Sequence, residues 1–179
     1  MKVQDGAGKG YWAEVNSENE LVVRAITEQE IEHASAKLGS AYAWDSTELD
    51  IDAGDTMLYV RNDSDTPLIC DSLIVNGSNV ICTWDIGIGS ATTTPTGTTV
   101  TGANLNTASG NTAESTAYSD ETAVADATVI ARIKTGVSGH HVHDLTGVVI
   151  GKNHYIQINQ ETESTSGSVV LTGHFENPS

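Results

Sequence analysis

The sequence predicts an all-β fold, an antiparallel sandwich of Greek-key or jelly-roll type carrying an N-terminal arm made of a hairpin and a short helix. Three observations carry this expectation. Thr, Ser, Gly, Asn and Ala dominate while aromatic residues are 5% of 179, the composition of short strands joined by tight turns. Beyond Gly39 the apolar residues recur with a period of two, in about eight to eleven runs spaced about ten residues apart. No helices alternate with these runs, which excludes a parallel sheet, and no repeat of about 20–50 residues points to a propeller or solenoid. A closed barrel also satisfies the pattern.

Residues 1–40 form the expected arm and residues 41–179 the sandwich. Met1 to Gly8 is polar and Gly-containing, and reads as a disordered lead or as a segment that orders against a partner. Tyr11, Ala13 and Val15 then alternate with Trp12 and Glu14, Asn16 to Asn19 is a turn, and Leu21 to Ala25 is a second strand, so a hairpin is predicted. Thr27 with Glu30 three residues later is a capping box, in which each side chain satisfies a backbone N–H at a helix start. Ile31, Ala34 and Leu38 give that helix a thin apolar stripe, and Gly39 is placed to end it in the left-handed conformation.

Short strands follow at Ala41 to Trp44, Thr47 to Ile51 and Thr56 to Arg61, with Asn62 to Asp65 turning the chain. Pro67 to Val75 and Val80 to Ile88 are the strongest strands, because Val80, Cys82, Trp84, Ile86 and Ile88 share one face. A hairpin turning at Asn76 to Asn79 is expected to join them and to form the core. From Gly89 to Asp126 large apolar groups almost vanish, and a long crossover with edge strands near Thr98 to Thr101 and Ala113 to Tyr118 is predicted; a low-complexity linker is the plainer reading. Regular strands resume at Thr128 to Lys134, Leu145 to Ile150, His154 to Gln160 and Ser168 to Phe175. Tyr155, Gln157 and Asn159 alternate with Ile156 and Ile158, which predicts one wet face.

Composition narrows the function. The chain carries 8 Lys and Arg against 24 Asp and Glu, a formal charge of -16, so nucleic acid is repelled at long range. Between Ala41 and Ala131 the only basic residue is Arg61, against thirteen acids. Such a surface keeps a crowded assembly in solution, or binds cations. No signal-peptide pattern opens the chain and no apolar run approaches the roughly 20 residues of a membrane helix, so a protein made in the cytoplasm without membrane attachment is expected. Cys70 and Cys82 would be out of register across the expected hairpin, and a disulfide needs Cα atoms within about 7 Å, so two free buried thiols are expected.

No motif predicts catalysis. Acid pairs can be chosen at will from 24 carboxylates, no G-x-S-x-G elbow presents a serine, and Gly87-Ile88-Gly89 lacks the dinucleotide pattern. Asp50-Ile51-Asp52-Ala53-Gly54-Asp55 starts like a calcium loop, but Gly54 and Arg61 stand where oxygen ligands are required, which leaves an Asp/Gly turn. In His140-His141-Val142-His143 a strand would put His141 and His143 on one face, their Cβ atoms about 7 Å apart, as two ligands of one transition metal; Gly139 equally allows an exposed loop. Three chains on a threefold axis would complete six ligands. Trp12, Trp44 and Trp84 suggest either a sugar-binding platform or packing, with Trp84 on the buried strand face.

The run DGxGxGYWAxV followed by NxLxVxAxTxxEIEHAxxxGxAYAW, from Asp5 to Trp44, resembles the N-terminal segment of small tailed-phage virion proteins of the capsid decoration or head-fibre type. A weaker echo lies at Pro95-Thr96-Gly97, Asn104-Leu105-Asn106 and Ala113-Glu114. The resemblance implies a homotrimer on the outer capsid surface of the virion, with the major capsid protein as partner, shell stabilisation as its role, and no enzyme activity or cofactor. With the arm read as the adhesive part, Tyr11, Trp12, Val15, Leu21, Val23 and Trp44 are the expected capsid or subunit contacts. A receptor- or glycan-binding module of a fibre or tail tip is the alternative.

Overall fold

The computed structural model describes residues 2–4, 12–14, 30–77, 80–90, 96–120, 127–162 and 164–176. The N-terminal segment contributes strands β1 (Lys2–Gln4) and β2 (Trp12–Glu14), which pair antiparallel with Val3 opposite Ala13. The segment expected to be an unstructured lead therefore supplies the described partner of Trp12–Glu14, and the expected second strand, Leu21 to Ala25, lies outside the described residues. Helix α1 (Glu30–His33) runs into a π-helical turn (Ala34–Leu38) that ends at Gly39, whose φ of 61° is the left-handed stop its position predicts. Thr27 of the expected capping box lies outside the described residues.

The remaining strands are β3 (Ala41–Asp45), β4 (Leu49–Ile51), β5 (Thr56–Asn62), β6 (Leu68–Gly77), β7 (Cys82–Ser90), β8 (Thr98–Val100), β9 (Ala103–Asn104), β10 (Ser115–Ser119), β11 (Thr128–Thr135), β12 (His140–Ile150), β13 (His154–Gln160) and β14 (Ser164–Phe175). They build two antiparallel sheets, ordered β11-β7-β13-β5-β10-β8 and β12-β6-β14-β3-β9, with β4 continuing beside β14. Setting aside β4 and the short strands β8 to β10, four strands face four. The chain passes from one sheet to the other at every step except β7 to β11. That is the jelly-roll order, the more specific of the two expected sandwich topologies.

One expectation is corrected here. Strands β6 and β7 are not a hairpin; they lie in different sheets. Both strands do present apolar inner faces, Cys70, Leu73 and Val75 on one and Cys82, Trp84 and Ile86 on the other, all fully buried. They meet across the core instead of side by side. Cys70 and Cys82 are free and buried, as expected, although they lie in opposed sheets and not across a hairpin.

A bulge shapes β6. Asp71 is an extra residue between Cys70 and Ser72, which pair with the consecutive residues Gly173 and Thr172 of β14. Since side chains alternate along a strand, one inserted residue moves the inward set from Leu68 and Cys70 to Leu73 and Val75. The core is completed by Trp44, Leu58, Val60, Ile133, Leu145, Ile150, Ile156, Ile158, Val169 and Leu171.

The wet face expected for β13 is also corrected. Tyr155 and Gln157 point away from the core yet are buried, with the Tyr155 ring 4.8 Å from that of Tyr59 on the neighbouring strand. Gly89 makes this possible, because a Cβ there would meet the Tyr155 hydroxyl at 2.6 Å. Gly87-Ile88-Gly89 thus gives β7 one apolar inner residue between two openings for β13 side chains.

Candidate functional site

Two regions bring together chemistry beyond the core: the junction where the N-terminal segment meets the sandwich, and the rim formed by β11 and β12. At the junction the helix end is held by the long crossover. Asn104 Nδ2–H donates to the Gly39 carbonyl at 2.9 Å, Asn106 Nδ2–H to the Ser35 carbonyl at 3.0 Å, and Asn111 Nδ2–H to the Leu38 carbonyl at 3.2 Å. The last carbonyls of a helix have no partner within it, and three asparagine amides from one loop supply them. The Asn-rich turn was legible in the sequence, but its target was not, because the pairs lie about 70 residues apart in the chain.

Against this junction lies a shallow groove of about 480 Å³, lined in part by Tyr42, Asn111, Glu114 and Phe175. Burial, together with the nearby Glu114 carboxylate, pushes the Tyr42 phenol above its ordinary range. A second groove, of about 650 Å³, lies on the outer face of the β12-β6-β14 sheet beside Ile31 and holds Asp71, Ser72, Asp144 and Thr172. Its polar atoms are largely engaged. Asp71 Oδ2 lies 2.9 Å from His174 Nδ1, the Ser72 and Thr172 hydroxyls are 2.8 Å apart, and Asp144 accepts from the Thr146 N–H at 2.8 Å. The Thr146 hydroxyl and N–H hold the Asp144 carboxyl below the usual carboxylate range.

Of the expected contact residues, Tyr11, Val15, Leu21 and Val23 lie outside the described residues, and Trp12 sits in β2 opposite Gln4. Trp44 is a core residue. It is fully buried, donates its indole N–H to the Ser115 hydroxyl at 3.1 Å and lies tilted against the Tyr42 ring, so it belongs to the interior of the sandwich. Trp84 is equally buried, with its N–H on Thr135 at 3.2 Å. Asp52 to Asp55 forms a turn closed by the Asp55 N–H on the Asp52 carbonyl, as the failed calcium template implies.

The histidine run is part of strand β12, not of a loop. His141 and His143 share a face, their ring centroids 6.1 Å apart, and pair in register with Val75 and Leu73. Among the described residues no group of three or more His, Cys, Asp or Glu side chains is placed to hold one ion.

The rim is the feature that sequence reasoning missed. Strands β11 and β12 end their respective sheets, and the turn at residues 136–139 joins them. Val129, Ile130, Val137, Val142 and Val149, on these strands and their turn, are five of the seven exposed large apolar residues among those described. Their alternation with polar neighbours reads as ordinary strand pattern; that the strands are edges emerges only from topology. No helix among the described residues is long and apolar enough to cross a membrane. Compared with family models, curated proteins and solved structures, the chain matches none.

Proposed function

We propose that this protein is a structural component of a phage particle, a decoration or cement protein that binds the outer capsid surface as a homotrimer and stabilises the shell. The observation that carries the reading is the Asn-capped junction at Gly39. It fixes the end of the helix at Leu38 and Gly39 to the jelly roll, the anchor from which contacts made by Tyr11, Trp12, Val15, Leu21 and Val23 would act. The resemblance over Asp5 to Trp44 supplies the role, since a fold alone does not. The formal charge of -16 suits a protein displayed at high density, where mutual repulsion keeps particles apart. Three chains acting together would multiply modest single contacts by avidity.

A glycan-binding module draws less support, because Trp44 and Trp84, two of the three tryptophans that could form a sugar platform, are fully buried in the core. The deciding experiment is co-sedimentation with shells assembled from the major capsid protein encoded in the same genome. Saturable binding in multiples of three, with a rise in the shell's disruption temperature, is expected. Failure to bind intact shells under any ionic condition would sink the proposal.

A further inference from the structure

We infer that His141 and His143 form a binding site for a divalent transition metal within one chain, the two imidazoles holding copper, nickel or zinc and water completing its coordination. The site stands on strand β12 alone and depends on neither the capsid reading nor the oligomeric state.

The strand register places the pair. Residues directly opposed in antiparallel strands share a face, and His141 pairs with Val75 and His143 with Leu73, both fully buried inward residues. Leu145, two residues further on, is buried in the core as well. The inward row of β12 therefore runs from Leu145 out through His143 to His141, so the period that calls for apolar side chains meets two imidazoles instead. Because β12 ends its sheet, this stretch reaches the open margin of the sandwich, where His143 is half-buried and His141 exposed. An ion can reach both rings from solvent.

Their nitrogens are uncommitted. His154 engages the Lys152 carbonyl through Nδ1 at 2.9 Å, and His174 engages Asp71, also at 2.9 Å. Among the described residues neither His141 nor His143 makes a hydrogen bond; each ring faces the other, with the planes tilted by 34°. A nitrogen bound at about 2.0–2.1 Å puts its ring centroid about 3.2 Å from the ion, so two rings on one ion have centroids about 4.5 Å apart at a right angle and about 6.4 Å apart when opposite. The observed 6.1 Å falls inside that range, near its wide end. A turn of the exposed His141 side chain brings the rings to the tetrahedral spacing of about 5.2 Å.

Ligand softness names the ion. Two imidazoles without thiolate or carboxylate select copper, nickel and zinc over calcium and magnesium, with copper held tightest. Positions left to water make the ion exchangeable, unlike one enclosed by four protein ligands. The formal charge of -16 raises the concentration of divalent cations at the surface.

The test uses the full chain stripped of metal, titrated calorimetrically with nickel and zinc chloride, and with copper followed by electron paramagnetic resonance. One ion per chain is expected, with hyperfine structure from two imidazole nitrogens and no change in mass by light scattering. His141→Ala and His143→Ala should each weaken nickel binding at least about tenfold, because a second imidazole held beside the first acts at high effective concentration. His140→Ala removes a ring from the opposite face, where the strand pairs with Asn76, and should change the affinity less than about twofold. Circular dichroism identical to wild type keeps unfolding out of the comparison, and His143→Gln replaces the alanine variant should that one unfold. Equal losses in all three alanine variants, or no loss in any, overturn the site and leave adventitious binding by exposed histidines. One ion per two or three chains overturns the single-chain chelate.

Discussion

Asn104 donates its side-chain N–H to the Gly39 carbonyl oxygen at 2.9 Å, although the two residues are 65 positions apart. The same carbonyl lies 3.3 Å from Asn111 Nδ2, so one crossover loop closes the helix from two directions. Replacing both asparagines by alanine removes the side-chain donor of the Leu38 carbonyl and leaves the Gly39 carbonyl only the longer contacts from Ser109 and Tyr42, at a stability loss of about 1–3 kcal/mol. Hydrogen exchange checks the location: the Ser40 amide, which bonds the Ala34 carbonyl at 3.0 Å, should lose protection before the core strands do.

Gly39 and Gly54 separate two sources of strain. Both have positive φ, 61° and 92°, but a Cβ at Gly39 would meet the Ser109 hydroxyl at 2.4 Å, whereas Gly54 has open space around it. Gly54→Ala should lose about 1 kcal/mol from backbone conformation alone, and Gly39→Ala about twice that or more. Urea denaturation midpoints at equal m-values measure the difference.

The two tryptophans expected as contacts should behave oppositely. Trp44→Ala opens a cavity in the core and strands the Ser115 hydroxyl, so stability should fall by about 3–5 kcal/mol. Trp12→Ala should leave thermal unfolding of the sandwich unchanged and weaken capsid binding and oligomer mass. Retention of full assembly by the Trp12 variant would remove that residue from the contact set.

Burial, reinforced by the neighbouring Asp71 carboxylate, pushes the Cys70 thiol from its ordinary 9.0 up to about 12. Native protein should therefore be unreactive at this site toward a disulfide reagent at pH 8, with the thiol titrating only after denaturation. The sign of the linked stability follows. The folded state holds the Cys70 proton across the interval in which the unfolded chain releases it. Stability from this group is thus complete below pH 9 and declines as pH rises toward about 12. Cys70→Ala should flatten that alkaline decline.

Chelation tests whether His141 and His143, two imidazoles per chain with ring centroids 6.1 Å apart, act as ligands across copies: assembled mass unaltered by chelator would remove them from that role. A fall to monomer in chelator, reversed by zinc or nickel and absent in His141→Ala, would instead assign both histidines to an intermolecular metal.

Local structure was written plainly in this sequence. The alternation of Tyr155 to Asn159 predicts a strand at His154–Gln160, the span it occupies, and Gly39 stops the helix where its lack of a Cβ allows. Partnership was not so legible. Polar residues between two apolar strands suggest a hairpin at residues 76–79, but an apolar inner face serves a strand equally well beside its predecessor or across the core from it, and β6 and β7 take the second arrangement. The same limit hid the Asn amides from their carbonyls. It also hid the β11–β12 rim, since a strand's position at the end of a sheet depends on every other strand.

The jelly-roll order carries a consequence for how the chain acquires its shape. Strand β13 lies between β7 and β5, and β14 between β6 and β3, so the last two strands made are the middle strands of both sheets. Until they emerge, β7 with β11 and β6 with β12 can pair, but nothing joins these pairs to β5 and β3 across the middle of either sheet. Folding therefore waits on loop closures spanning most of the chain, which makes it slow compared with a hairpin-built protein of equal size. During synthesis each nascent copy remains uncommitted, with its edges available, until residues 154–175 are released. Neighbouring nascent chains are most able to tangle in that interval, and the excess of like charge that keeps the finished protein dispersed acts then as its own chaperone.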